Sequence, residues 1–150
     1  MPIRCEIVSQ DRLVYEGDAD VIIVPGIEGE MGILPNHAPL LSTLKLGVLK
    51  VRHQGDEKDF TISGGVIEVQ PDLVTVLADS AENVLEIDVA RAEAARKRAE
   101  ELLAQGPGPD TTSYLNLEAA LRRSNLRLEA VKRFRGQRAP SSGKGQEDSS

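Results

Sequence analysis

Glu82-Asn83-Val84-Leu85-Glu86-Ile87-Asp88-Val89-Ala90-Arg91-Ala92 is the stretch on which the fold turns. Before it, apolar residues recur at about every second position, and Gly and Pro interrupt the runs. After it, Ala and Leu recur every three or four positions, with Arg, Lys and Glu between them. That is a change from strand period to helix period. Asp88 stands at the change, where a carboxylate can cap the first free N–H groups of a helix and suit the positive end of its dipole. The pattern predicts an all-β sandwich or barrel of roughly nine or ten short strands over residues 1–86, followed by an α-helical hairpin over 87–135. Residues 136–150 are nearly devoid of apolar side chains and are expected to form a disordered tail.

Working back from the junction, short β-type runs follow one another with turn signals every 8–12 positions, the rhythm of a sandwich or barrel. Ile3 to Val8, Arg12 to Glu16 and the β-branched run Ala19 to Val24 read as strands. Gly at every third place in Gly26 to Gly32 suits a bent or bulged strand. Leu40 to Leu46 and Val48 to His53 read as two strands broken at Gly47. Lys58 to Ser63 and Val66 to Gln70 are likewise read as two, flanking Gly64-Gly65, and Leu73 to Ala78 closes the series.

Working forward, the first helix should run from about Asp88 to Gln105, with Ala92, Ala95, Ala99, Leu102 and Leu103 on one flat face. Gly106-Pro107-Gly108-Pro109-Asp110 must end it, because Pro cannot continue a helix. Thr111 or Thr112 can cap the next helix. Leu117, Leu121, Ser124, Leu128 and Val131 step by four, three, four and three, the seam of an antiparallel hairpin or a coiled coil. Ordering a helix costs about 1–2 kcal/mol per residue in backbone entropy, and an Ala-rich face returns on the order of a few kcal/mol. The hairpin is therefore expected to be marginal, an element able to open.

The bulk composition bounds the function. With 3% aromatic residues and no Trp, the core must be Val, Ile, Leu and Ala. The formal charge of −6 argues against nucleic acid as a partner. Residues 1–86 hold 6 Lys and Arg against 15 Asp and Glu, whereas residues 87–150 hold 12 against 9. The two parts are thus suited to different surfaces, or to each other. Cys5 is the single cysteine, so no internal disulfide forms and a reducing compartment is indicated. No apolar run approaches the roughly 20 residues of a membrane helix, so the chain reads as soluble, reaching a membrane only through a partner.

Nothing in the pattern points to catalysis. There is no metal-ligand cluster at usable spacing, no nucleophile elbow, and no phosphate loop ending in Lys-Ser or Lys-Thr. The loops around Gly29-Glu30 and His37 lie next to Leu34, Leu40 and Leu41. They are either solvated turns or a docking edge. Arg91 and Arg98 are seven apart on one helical face, and Arg123 and Arg127 are four apart on another. In an antiparallel pair, four guanidinium groups would converge near Asp88, either as a phosphate-matching set or as a solvated cationic face beside Glu93, Glu100 and Glu101.

Three stretches carry a resemblance: Gly29-Glu30-Met31-Gly32-Ile33-Leu34-Pro35-Asn36-His37-Ala38-Pro39-Leu40-Leu41, Ile62-Ser63-Gly64-Gly65-Val66-Ile67-Glu68-Val69-Gln70-Pro71, and Val74-Thr75-Val76-Leu77-Ala78-Asp79. Together they closely resemble the epsilon subunits of rotary F-type ATP synthases, in order, from about residue 3 to residue 134. The resemblance implies a ten-stranded β-sandwich followed by two helices, and a non-catalytic chain. It implies a place in the central stalk, peripheral on the cytoplasmic face of the cell membrane, bound to the gamma subunit and the ring of c subunits. The implied role is coupling of the rotor, with restraint of ATP hydrolysis when the helices extend towards the catalytic alpha/beta head. Positions matching Glu30 and His37 would face the c ring.

Some bacterial members hold ATP between the folded helices with an Ile/Leu-Asp-x-x-Arg-Ala motif, which Ile87, Asp88, Arg91 and Ala92 match. Glu82, Arg98, Arg123 and Arg127 fall where that site has its acid and its basic residues. ATP would then be a regulatory ligand rather than a required cofactor, cancelling the repulsion of four guanidinium groups and holding the hairpin closed. The Gly106 to Asp110 link departs from the pattern, and residues 136–150 have no counterpart in it. The alternative from the sequence is a stand-alone β-sandwich adaptor with an interaction hairpin.

Overall fold

The computed structural model describes the backbone of residues 1–149 and the side chains of residues 1–134. The expectation of a disordered tail over 136–150 lies outside the fully described residues. The chain divides into two compact units, Met1–Val84 and Leu85–Ser150.

Eight strands build the first unit: β1 (Ile3–Ser9), β2 (Arg12–Ala19), β3 (Val21–Gly26), β4 (Gly29–Ile33), β5 (Leu40–His53), β6 (Asp56–Val69), β7 (Leu73–Ala78) and β8 (Ala81–Asn83). Their order is β2-β1-β7-β6-β5-β3-β4, with β8 also on β6. The β1–β7 pair is parallel and the others are antiparallel. One half of β6 pairs with β7 and the other half with β8. Side chains from both ends of this strand order enter a single core, so the sheet folds over on itself as a sandwich. Ile3, Cys5 and Ile7 of β1 alternate inward, as do Val74 and Val76 of β7, and meet Ile22, Val24 and Ile33 from the other end. The pleat explains this alternation. Phe60 is the one aromatic in this otherwise aliphatic core, with the Tyr15 ring 5.2 Å away from across the sandwich.

Two expected breaks are absent. β5 runs through Gly47, and β6 runs through Gly64-Gly65, with one register on either side of both sites. The glycines bend the ribbon instead of ending it. A Cβ on Gly65 would strike the Leu77 carbonyl oxygen, and its φ of +133° suits glycine alone. This is why two 14-residue strands, β5 and β6, take the place of the four short ones expected there. The hairpin tip Gln54-Gly55 has positive φ at both residues, the two-residue turn that matches strand twist.

After a single 3-10 turn (Val84–Glu86), the second unit holds α1 (Val89–Ala104) and α2 (Thr111–Ser149). Asp88 caps α1, its Oδ1 accepting from the Arg91 N–H at 3.1 Å. Gly106 (φ +81°) ends the helix, its N–H donating to the Leu103 carbonyl. The cap of α2 is Asp110, not Thr111 or Thr112. Asp110 Oδ1 accepts from the Thr112 and Ser113 N–H groups at 3.0 and 3.3 Å, and Oδ2 accepts from the Ser113 hydroxyl.

Candidate functional site

The helical unit pairs α1 with α2. On α2 the predicted seam is buried at Ser124 and Val131 and half-buried at Leu117, Leu121 and Leu128. On α1 the seam is Ala92, Arg96, Ala99 and Leu103, stepping four, three, four. Ala95 is exposed, and so is Leu102, contrary to the expected Ala face. Arg96 takes the place expected of Ala95. Its methylene stem can be half-buried while its head reaches Glu93 at 3.1 Å and Glu100 at 2.9 Å.

A groove of about 680 Å³ runs along one side of this seam, lined by Val89, Glu93 and Arg96 of α1 and by Asn125, Leu128 and Lys132, among others, of α2. The start of α1 therefore lies beside the 125–132 part of α2, which makes the pair antiparallel. Arg91 and Arg98 stand two residues from groove positions 93 and 96, half a turn around the helix. Arg123 and Arg127 stand two residues from positions 125 and 129, again half a turn around. All four guanidinium-bearing residues thus share the flank opposite the groove. Arg91, Arg98 and Arg123 are exposed and Arg127 is half-buried. Among the described residues no carboxylate pairs with Arg91, Arg98 or Arg123, whereas Arg96 and Arg133 are paired along their own helices. The forked donors of Arg91, Arg98 and Arg123 on one flank suit a polyphosphate.

The remaining residues of the motif are placed differently. Ile87 and Ala92 are buried. The Asp88 carboxylate is engaged at the helix start and orders the turn that carries Arg91. Glu82 is half-buried on β8, in the sandwich unit.

The second candidate region is the stretch of the sandwich from residue 26 to residue 43. Ile27 is 61% exposed, Leu34 59% and Leu41 71%, with Met31 half-buried. Glu28 and Glu30 are exposed among them. Gly26 to Met31 and Leu41 to Thr43 line a shallow recess of about 460 Å³. His37 is half-buried; its N–H donates to the Leu34 carbonyl at 3.2 Å, and its Nδ1 lies 2.7 Å from the Ala38 carbonyl oxygen. Asn36, with φ of +65°, fixes this turn through its N–H to the Pro71 carbonyl. Glu30 and Met31 are thus held on β4 and Leu41 on β5, with Ile27 and Glu28 on the turn between β3 and β4. Ile27 and Glu28 were not singled out by spacing, because a loop gives no period by which to sort its faces.

Among the described residues no group of three or more His, Cys, Asp and Glu could hold a metal, and no helix is long and apolar enough to cross a membrane.

Two family models cover the chain: the ATP synthase delta/epsilon chain β-sandwich domain over residues 2–84 and the long α-helix domain of the same chain over residues 86–132. The chain belongs to the ATP synthase delta/epsilon family. An ATP synthase epsilon chain of Dehalococcoides mccartyi is 46% identical over 133 residues, 89% of this chain and 94% of its own length. That of Acidithiobacillus ferridurans is 43% identical over 137 residues, covering 91% and 96%. Among solved structures, a chain of the Euglena gracilis mitochondrial ATP synthase assembly of OSCP, F1 and c-ring matches with a TM-score of 0.71 and 28% identity, covering 86% of this chain and 80% of that one. A chain of the Tetrahymena thermophila central stalk and c-ring shares the fold, with a TM-score of 0.53 and 14% identity. Within the delta/epsilon family, the break between the two domain models falls on the 3-10 turn that separates the two units of this chain.

Proposed function

We propose that this chain is the non-catalytic epsilon subunit of a proton-translocating ATP synthase, part of the central stalk that couples the rotor to the catalytic head. The observation that carries this reading is the match of both units, in order, to the two domains of one family. The sandwich stretch with exposed Ile27, Leu34 and Leu41, and with Glu30 and His37, docks on the c ring. Apolar anchors within a charged rim are the usual make-up of such a contact. Gamma is the stalk partner. The membrane is reached through these partners alone, on its cytoplasmic face.

The helical unit restrains ATP hydrolysis when it opens and extends towards the head. ATP on the arginine flank holds it closed. Four guanidinium groups on one flank repel each other, and a triphosphate removes that repulsion in the closed state only. Asp88, Arg91, Arg98, Arg123 and Arg127 are the residues of the helical unit that would order and bind it, with Ile87 and Ala92 in the motif.

The test is reconstitution. The ATP synthase complex assembled with the full chain should hydrolyse ATP more slowly than one assembled with residues 1–86 alone, and both chains should co-purify with gamma. Failure to co-purify would overturn the stalk assignment. Equal hydrolysis rates would overturn the restraint. Calorimetric titration of the full chain with ATP, beside Arg123→Ala, tests the ligand separately: saturable binding lost in the variant is expected, and no binding at millimolar ATP would remove ATP from the reading.

A further inference from the structure

Asp59 is the one charged side chain that the described residues bury almost completely. It is 6% exposed, and its Oδ1 has no hydrogen-bond partner. An unpartnered ionised carboxylate in such a place is strongly disfavoured. Asp59 lies on β6 two residues from Glu57, so the pleat sets both carboxyls on one face of the strand. Set side by side on one face, with Asp59 buried, the two carboxyls favour keeping a proton on one of them.

The charged groups around the pair are few. From β5, Lys50 is the register partner of Asp59, and Arg52 is that of Glu57. Arg52 Nε donates to Glu57 Oε1 at 2.7 Å. From β8, Glu82 stands opposite Thr61, one pair further along the same face. The guanidinium therefore belongs to Glu57, and Asp59 is the member left buried without one. Two adjacent carboxyls resist ionising together. Phe60, the neighbour of Asp59 along β6, pairs with Asn83, and Asn83 is followed by Val84, the buried last residue of the sandwich unit.

We propose that Glu57 and Asp59 hold one proton between them, and that losing it loosens the joint where the chain leaves the sandwich. Burial, and then the neighbouring Glu57, push the Asp59 carboxyl up to about 6. Burial also pushes Glu57 upward, but its bonds to Arg52 and Asp59 outweigh this and hold it below the ordinary value. The stability carried by protonated Asp59 is fully present below its ordinary value of 3.8 and is lost as pH rises through about 6. Glu57 runs the other way: its contribution is present above its ordinary value of 4.5 and is lost only as pH falls through its lower folded value. Of these two carboxyls, Asp59 is the one that changes between about pH 5 and about pH 7.5.

Carboxyl and amide NMR titration of the full chain, with thermal melts over the same range, tests this. Asp59 is expected to titrate near pH 6, with the Asn83 and Val84 amides moving at the same midpoint. The melting temperature should fall by several degrees as pH rises from about 5 to about 7.5, and Asp59→Asn should flatten that fall. Glu57→Gln should lower the Asp59 midpoint, and it provides the test should Asp59→Asn not fold. An Asp59 midpoint below about 5, or one unmoved in Glu57→Gln, would overturn the shared proton. Amides at Asn83 and Val84 that do not titrate would overturn the coupling to the joint.

Discussion

Gly65 shows how a single position fixes the path of a strand. Its φ is +133°, and a Cβ there would press into the Leu77 carbonyl on β7. Gly65→Ala should therefore destabilise the sandwich by more than about 2 kcal/mol, since a strained φ and a backbone clash add. A lowered denaturant midpoint at unchanged slope checks this. Asp88 is the opposite kind of residue, plain in the sequence because a capping side chain sits where the periodicity changes. Asp110 was not legible in the same way. Thr111 and Thr112 carry similar capping chemistry, and only the backbone decides which of three adjacent residues leaves the helix. Asp59 was missed for a related reason: alternation marks which face of β6 is inward, but not that the other face is covered there as well.

At the level of elements, the helical hairpin rests on a thin seam. Ala92 and Ala99 are the only fully buried residues of α1 among those described, and Arg96 fills a place where an aliphatic residue would bury more. Amides of α1 should accordingly exchange faster than those of β1, β6 and β7 in the intact chain, by local opening of the pair. Equal protection across both units would show that the hairpin does not open by itself. The seam of α2 was readable to the residue because its large side chains step unambiguously by four and three. The seam of α1 kept Ala92, Ala99 and Leu103 but took Arg96 in place of Ala95 and Leu102, because a helix with Ala on several sides has no single apolar face and packing chooses among them. The merged strands have a comparable cause. Glycine marks a bend and a break alike, and only the partner strands, which keep one register across Gly47 and Gly64-Gly65, distinguish the two.

For the molecule as a whole, the sandwich presents the large apolar side chains of Ile27, Leu34 and Leu41 on its surface without using them for its own stability. Leu41→Ser at its 71% exposed position should leave the melting temperature within about a degree or two, because little of that side chain leaves water on folding. The same change should weaken association with the rotor by about tenfold or more, as loss of an apolar anchor does. Pull-down of the assembled stalk beside a melt of the free chain separates the two effects. The chain's only thiol has a further use. Cys5 is wholly enclosed in the sandwich core, and burial, reinforced by Glu6, pushes its pKa up to about 12, so almost none of it is thiolate at neutral pH. The natural sequence is therefore already a silent background for maleimide chemistry. Cysteines introduced by Glu101→Cys and Asn116→Cys, near the two ends of the link between α1 and α2, would be the only sites to react in the folded chain. A dye pair placed there would report on the hairpin within a working assembly, with no need first to engineer away a native thiol.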